Sequence, residues 1–536
     1  MTPRRVSEMP FRGVGELVRL LLRRDRVRIA WWAAGIIALV LVSAESITGL
    51  YSTPLELERY AKLVKGNAAL IVQSGPGYGL DHPTAGAVLM NETGVWTYIA
   101  VGLMSVFMVV RHTRTEEENE LAELIRSAPV GRHAQLLAAL LGTLLANALV
   151  ATGLVLGLIA TDLPTVGSLA FAAATIGAGM VFAGVAAVAA QVASGSRSAL
   201  AAASGTIALA FVARAVGDVG DGRLSWLSPI GWAQAIRAYA DERWWVLLLP
   251  AVAVAGCSAL AVSLQTRRDL GAGMFQQRPG PAAANPRLST PLGLAARLHR
   301  PTIIGWTIGL ALLAFFYGIV ANQAESILED NPDMADYLAM LGQGSITDVY
   351  LATSMLMMGL IATGFTLAAV LRLRGEENAG RADLVLAMPT SRRRWVASHL
   401  ALASGGSIVV MTACGLAMGV GFASVSGDTG KIPSLVVAAL AMVPAMLAVG
   451  GLTLLVYGLV PRWALAVWGA LAFIVAVGVL QAVLDLPQWV LDLSPFEHVP
   501  AMPAAGFDIA PLALLCAAAL ALVAAGLSAI ERRDIV

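Results

Sequence analysis

Long apolar runs separated by short polar loops make up most of this chain of 536 residues. A helix needs roughly 20 apolar residues to cross the hydrocarbon core of a bilayer. Runs of about that length occur six times before residue 270 and six times after residue 303. The first run is too long for the apolar core of a cleaved signal peptide. The pattern therefore predicts an all-α polytopic membrane protein with about 12 transmembrane helices.

The second half of the chain repeats the first. Residues 44–47 (Ala-Glu-Ser-Ile) recur at 324–327, each at the outer end of the first helix of its half. The loop after the second helix also recurs without a gap, and further matches follow it: Arg114 with Arg374, Glu116-Glu117 with Glu376-Glu377, Pro129 with Pro389, Arg132 with Arg392, Leu227-Ser228-Pro229 with Leu493-Ser494-Pro495, and Arg267-Arg268-Asp269 with Arg532-Arg533-Asp534. We therefore expect two tandem six-helix repeats in one orientation, a fused pseudo-dimer.

Arginine placement orients the predicted helices, because basic loops stay on the cytoplasmic side. The basic stretches alternate with the spans, so both termini are predicted to be cytoplasmic in a multi-pass protein of the bacterial inner membrane. We divide the chain into an N-terminal amphipathic interfacial helix (1–28), a first transmembrane repeat (29–270), a cytoplasmic Pro/Ala-rich linker (271–302) and a second transmembrane repeat (303–536).

Composition narrows the classes of function. Apolar residues make up 57% of the chain, charged residues 13%, and the mean hydropathy is +0.74, far outside the soluble range. A net charge of +1 gives no electrostatic bias toward nucleic acid. Cys257, Cys414 and Cys516 lie far apart inside apolar runs, so neither a disulfide framework nor a metal site is predicted. Spans rich in Ala, Gly, Val, Leu and Met favour a small lipophilic substrate over a sugar or an ion.

The loop after the second helix of each half is the strongest candidate site. Thr113 is expected to cap a short helix on which Glu116, Glu120 and Glu123 share one face, and Pro129 ends it. Such an acidic helix between two spans suits coupling to a soluble partner, but a solvated loop that only satisfies topology is the open alternative. The candidate coupling residues are Arg114, Glu116, Glu117, Glu120, Pro129 and Arg132 in the first half, and Arg374, Glu376, Glu377, Pro389 and Arg392 in the second.

Residues near the outer ends of the helices are candidates for an outer gate. Glu45 and Glu325 recur at matching positions, and Trp226 and Trp232 belong to an aromatic loop between the fifth and sixth helices. Two interpretations stay open for each group. The acids either line a gate or face water at the interface, and the tryptophans either stack on substrate or anchor the chain at the membrane surface.

Several segments resemble those of a known family. Six helices per half, an acidic helix between the second and third, and an aromatic outer loop resemble ABC-2 type permeases. A closer resemblance, over essentially the whole chain, is to the double-length actinobacterial permeases for polyketide antibiotics and other drugs. It rests on Arg23-Arg24-Asp25-Arg26-Val27-Arg28, Arg111-His112-Thr113-Arg114-Thr115-Glu116-Glu117-Glu118, residues 224–232 and Glu242-Arg243-Trp244-Trp245. The second half departs from the pattern, since Asn378 stands where the first half has Glu118.

This resemblance implies ATP-driven export, with two copies of a nucleotide-binding protein docked on the acidic helices and ATP-Mg bound by that partner. Alternating access about a cavity between the halves is the implied mechanism. The sequence independently indicates an external energy source. A Walker A loop needs a lysine to reach the phosphates, and the only lysines, Lys62, Lys65 and Lys431, fall in predicted outer loops. No catalytic residue and no cofactor of its own are therefore predicted.

The residues favour two other classes of protein less. A proton-coupled secondary drug transporter of the major-facilitator layout also has twelve spans, but such carriers usually hold ionisable residues at mid-membrane depth. The predicted span centres are nearly free of them. An intramembrane enzyme is disfavoured because the six histidines are scattered, without the His-Glu-x-x-His spacing of a metalloprotease.

Overall fold

The computed structural model describes residues 10–51, 53–65, 68–268, 273–274, 283, 285–321, 345–484 and 487–533. Within these residues every regular element is a helix, and the chain divides into two compact units, Met1–Gly280 and Pro281–Val536. The unit boundary falls inside the predicted linker. The predicted gate residue Glu325 lies outside the described residues.

Twelve helical segments of the described chain are long and apolar enough to cross a bilayer, six in each unit. This confirms the predicted fold class, a multi-pass membrane protein. The spans, numbered in chain order, are Val14–Leu50, Ala85–Glu118, Ala134–Ala160, Thr165–Val192, Ser196–Val219 and Trp244–Thr266 in the first unit, and Pro291–Ala321, Ile346–Asn378, Arg392–Ser426, Lys431–Leu459, Pro461–Gly478 and Ile509–Arg532 in the second.

Each unit packs its spans in the same order. The first span lies along the third, the fourth lies along the sixth, and the second and fourth are the most buried. Glycines lie where the helices cross most closely. This is expected in a membrane, where no hydrophobic effect drives helices together and close backbone packing takes its place. A Cβ built on Gly318 would lie 2.1 Å from the carbonyl oxygen of Met418, and one on Gly421 would lie 2.1 Å from that of Phe315.

The first span differs from the predicted division at residue 28. One helix runs without a break from Val14 to Leu50, so the amphipathic segment and the membrane helix are continuous. Its buried positions, Leu21, Asp25, Ile29, Ala33 and Ile36, keep one helical face across residue 28. In the second unit the corresponding helix begins at Pro291, within the segment predicted as linker.

The end of the first unit that is predicted to face outward carries two short helices between the first and second spans, Pro54–Val64 and Ala68–Ser74. Thr53 caps the first of them, with Glu56 completing a capping box. The second is held by Arg214 of the fifth span, which donates hydrogen bonds to the carbonyl oxygens of Ile71 and Val72 at 3.2 and 2.6 Å.

Candidate functional site

The candidate loop of the first unit has a different local structure from the predicted one. The second span continues through a π-helical turn, Arg111–Thr115, to Glu118, and a separate short helix follows at Leu121–Ser127. Thr113 therefore caps nothing: its hydroxyl donates to the carbonyl oxygen of Val109 at 2.6 Å inside the span. The capping prediction used only neighbouring residues. In the structure the helix continues past Thr113 to Glu118, where Glu116 and Glu117 form ion pairs with arginines. The break comes at Glu120, whose φ of 60° is left-handed.

Glu117 is the centre of a buried ion-pair cluster at the end of the first unit that is predicted to be cytoplasmic. Arg268, just beyond the sixth span, donates to both carboxylate oxygens of Glu117, at 2.8 and 2.5 Å. Arg114 donates to the same carboxylate at 2.8 Å. Gln191, near the end of the fourth span, accepts from Nε of Arg268 at 2.8 Å. The cluster thus ties the ends of the second, fourth and sixth spans together.

The second unit builds the same connection from the matching residues. Arg533 donates to Glu377 at 2.8 Å, as Arg268 does to Glu117. Tyr457 of the fourth span of this unit takes the place of Gln191: its hydroxyl donates to Glu377 and its ring lies 4.7 Å below the Arg533 guanidinium. Arg374 is half-buried, and no ion pair joins it to Glu377 in the described structure.

A second buried cluster surrounds Glu116. Arg24, His112 and Gln135 contact its carboxylate at 2.9, 3.1 and 3.1 Å. His112 also bonds Asp25 of the first span through Nε2 at 2.7 Å. Asp25 in turn accepts from Nε of Arg111 at 3.0 Å. Glu116 therefore joins the first, second and third spans and is not available on a helix surface, contrary to the predicted acidic face.

Glu376 is the corresponding residue of the second unit. Arg381 of the short helix Arg381–Leu386 donates to it at 2.7 and 3.2 Å, and Arg372 lies 3.7 Å away. The bond to Glu376 raises the pKa of Arg381, which therefore stays charged. Nearby, His299 and His399 of the seventh and ninth spans are both buried and share a 3.0 Å contact between ring nitrogens.

Each of the two short helices at this end has an exposed leucine. Leu124 in Leu121–Ser127 is 70% exposed, and Leu384 in Arg381–Leu386 is 72% exposed. They occupy matching positions of the repeat, and each follows an exposed acid, Glu123 or Asp383. Of the other candidates, Glu120, Pro129, Arg132 and Pro389 are exposed, while Arg392 is half-buried and donates to the carbonyl oxygen of Arg533 at 2.6 Å.

The N-terminal segment also contacts this loop. The backbone N–H of Gly131 donates to the carbonyl oxygen of Arg12 at 2.9 Å, and that of His133 donates to Pro10 at 3.0 Å. The loop between the second and third spans is therefore joined to the residues that lead into the first span.

The outer candidates form a structured surface on the first unit. Trp226 stacks on Trp245 with ring centroids 6.0 Å apart, and Nε1 of Trp232 donates to the carbonyl oxygen of Trp226 at 2.6 Å. Glu45 is exposed. In the loop between the fifth and sixth spans, the hydrogen bond from Arg237 lowers the pKa of Asp241. The tryptophans are thus positioned by one another, and the alternatives of anchoring and substrate contact stay open.

Sequence reasoning missed most partners of the candidate acids. Arg268 and Arg533 were visible as matching ends of the two halves, but their pairing with Glu117 and Glu377 spans 151 and 156 residues. The sequence did contain one indication of this pairing, because the acid and the arginine of each pair both recur at matching positions in the two halves. Asp25 and His112 stood out only as members of the segments that resemble the permease family, because their contacts depend on which helix faces meet.

Comparison with known proteins agrees with this architecture. The chain is 40% identical, over 535 residues covering 98% of it and 96% of the relative, to the multidrug efflux system permease protein Rv1217c of Mycobacterium tuberculosis (strain ATCC 25618 / H37Rv). Residues 288–530 match the family model described as multidrug efflux system permease Rv1217c, C-terminal domain. By the extent and identity of this match, the chain belongs to the family of multidrug efflux system permeases.

Proposed function

We propose that this chain is the membrane-spanning subunit of an ATP-driven ABC exporter that moves lipophilic drugs out of the cell. It would have no ATPase site of its own, and two copies of a separate nucleotide-binding subunit would dock on the short inner helices. The relative is a multidrug efflux system permease protein, which supports export of drugs. The repeated surface at Leu124 and Leu384 carries the proposal of a paired partner.

An exposed leucine beside an acid on a short helix is suited to a protein partner. A solvent-exposed loop gains nothing from presenting a large apolar side chain, whereas burying a leucine in an interface contributes about 1.5–3 kcal/mol. The pairs Glu123-Leu124 and Asp383-Leu384 present this feature once in each unit. Two matching sites on one chain fit two copies of the same partner.

The buried clusters supply a path from this surface to the spans. Glu117 lies four residues before the short helix of the first unit and is bonded to Arg268 at the end of the sixth span. Arg381 opens the short helix of the second unit and is bonded to Glu376 at the end of its second span. Because separating a buried carboxylate from its arginine is costly, we expect a displacement of either short helix to move the span ends with it.

The proposal is tested by co-expressing the chain with the nucleotide-binding protein encoded beside it. Leu124→Asp and Leu384→Asp place a charge in each proposed contact and leave the buried clusters intact. Each should lower the co-purified ATPase by about tenfold or more, as expected from the loss of a buried leucine. Drug-stimulated ATP hydrolysis in proteoliposomes should fall in parallel. Leu227→Asp is the matched control, since this outer-loop leucine is also 72% exposed.

The main alternative is a proton-coupled secondary transporter. The buried contact between His299 and His399 is the observation that favours it, because histidines are common proton carriers. Efflux that continues without ATP and collapses when the proton gradient is dissipated would establish this alternative. Failure of the unaltered chain to co-purify with any nucleotide-binding protein would count against the ABC proposal as well.

A further inference from the structure

An open groove of about 660 Å³ lies on the first unit, along the inner part of the first span. The side chains of the first span form most of its wall, and Ala100 and Arg111 of the second span complete it. One end is charged, with Arg24, Arg28 and Arg111. The other end is apolar, with Gly35, Ile36 and Leu39. Two tryptophans, Trp31 and Trp32, separate the ends.

The charged end is built around one buried carboxylate. The Asp25 side chain is 3% exposed and lies 3.0 Å from Arg111 and 3.6 Å from Arg28. Arg24 lies beside it, bonded to Glu116 at 2.9 Å. The three arginine side chains are nevertheless 37%, 47% and 32% exposed, in the order Arg24, Arg28, Arg111. Each guanidinium has five N–H donors, so their outward donors face the groove while the acids hold them in place.

The apolar end has the dimensions of a lipid tail. Arg28 and Leu39 are eleven residues apart on one helix, a rise of about 16 Å, and half of the hydrocarbon core is about 15 Å thick. A Cβ on Gly35 would meet nothing within 4 Å, so the groove is open at its middle. Tryptophans between a charged and an apolar region are typical of the membrane interface.

We propose that this groove binds an anionic phospholipid of the leaflet next to the basic end of the first span. The headgroup phosphate accepts hydrogen bonds from Arg28 and Arg111, and one acyl chain lies along Gly35, Ile36 and Leu39. Arginines recognise phosphate by charge-assisted, often bidentate hydrogen bonds. This site is separate from the proposed ATPase contact, and it does not depend on that function.

The second unit has the same groove without the charges. Its groove of about 430 Å³ is lined by Pro301, Thr302, Gly305, Trp306, Gly309 and Leu310. The tryptophan contacts align Ile29 with Ile303 and Trp32 with Trp306, and each tryptophan lies against a phenylalanine of the next span. This register is six residues away from the match of residues 44–47 with 324–327 at the other end of the two helices. In this register Thr302 replaces Arg28, and by the gap-free match of the second spans Leu371 replaces Arg111. An anionic lipid is therefore expected to bind the first unit only.

This difference provides matched variants. Arg28→Thr with Arg111→Leu gives the first groove the residues of the second. Gly35→Leu blocks the apolar end and leaves every ion pair in place. Gly309→Leu makes the same change in the second groove, where a Cβ would also meet nothing within 4 Å. Each chain is purified in detergent with equal amounts of dioleoylphosphatidylglycerol and dioleoylphosphatidylcholine, and retained lipid is counted by native mass spectrometry.

The unaltered chain should retain one molecule of phosphatidylglycerol in preference to phosphatidylcholine. The double variant should lower that retention about tenfold or more, as expected for lost hydrogen bonds to a charged group. Gly35→Leu should lower it about tenfold or more because its side chain displaces the acyl chain from the apolar end, and Gly309→Leu should not. Equal retention of the two lipids by the unaltered chain overturns the proposal. So does a Gly35→Leu chain that retains phosphatidylglycerol normally, even where the double variant fails to fold. If glycerol 3-phosphate competes as well as the lipid, the groove binds anions and not lipids.

Discussion

Arg268 donates two hydrogen bonds to Glu117, and Arg533 makes the corresponding ion pair with Glu377 in the second unit. In both units a span that ends the repeat is thereby joined to the span that leads into the short inner helix. The partners around each pair differ, with Arg114 and Gln191 in one unit and Tyr457 in the other. The arginine–glutamate ion pair is therefore present in both units, although the residues that contact it differ.

Removing either arginine should destabilise the protein strongly. Arg268→Met or Arg533→Met leaves a buried carboxylate without its main partner, which typically costs ~3–5 kcal/mol. Arg267→Met and Arg532→Met, at the exposed neighbouring positions, should have little effect. Thermal unfolding in detergent compares the four midpoints. Equal midpoints for Arg268→Met and Arg267→Met would show that the ion pair contributes nothing to stability.

Alanine at the close crossing of the seventh and ninth spans should also destabilise. A Cβ at Gly318 or Gly421 would lie 2.1 Å from a backbone oxygen of the other helix. The helices must therefore separate, at a cost of ~1–3 kcal/mol for overpacking. Gly305→Ala and Gly405→Ala lie on the same two helices and meet nothing within 4 Å, so they should be neutral or slightly stabilising. The same unfolding assay decides between the two outcomes.

Glu120 offers a way to separate folding from coupling. Its φ of 60° is a left-handed backbone conformation. That conformation costs a residue with a Cβ roughly 1–2 kcal/mol and costs glycine almost nothing. Glu120→Gly should therefore raise the unfolding midpoint, whereas Glu123→Gly, inside the short helix, should lower it. If the Glu120 carboxylate contacts the ATPase, Glu120→Gly lowers co-purification while raising stability. An unchanged co-purification would exclude Glu120 from the contact.

Arg214 should control the outer helix Ala68–Ser74 of the first unit. Its side chain is fully buried and bonds two carbonyl oxygens of that helix as well as Asp218, 3.4 Å away. Arg214→Gln should speed amide hydrogen exchange in residues 68–74 by about tenfold or more, because hydrogen bonds from a charged group contribute ~1.5–3 kcal/mol. Arg223→Gln is the control, since Arg223 is exposed and pairs only with Asp221 among the described residues. Exchange that is unchanged in Arg214→Gln would contradict the assignment.

The sequence was sufficient for the number of spans, because hydropathy records it. The predicted repeat, based on matching residues such as Pro129 and Pro389, is consistent with two units of six spans each. The sequence did not predict that the candidate acidic side chains are buried and paired. Glu116 follows the pattern of an exposed amphipathic helix, yet Glu116 and the neighbouring Glu117 are both buried by arginines from distant segments. Local rules for capping and periodicity contain no information on such partners. The inner contact between His299 and His399, 100 residues apart, was beyond reach for the same reason.

The uninterrupted helix Val14–Leu50 has a mechanical consequence. Its 37 residues extend about 55 Å, whereas the hydrocarbon core is about 30 Å thick. Such a rod is much longer than the layer that supports it, so a tilt moves its two ends in opposite directions. The backbone bonds from Gly131 and His133 to Arg12 and Pro10 attach one end to the inner loop. A displacement of that loop that tilts the rod would therefore move the far end, beside Glu45, in the opposite direction.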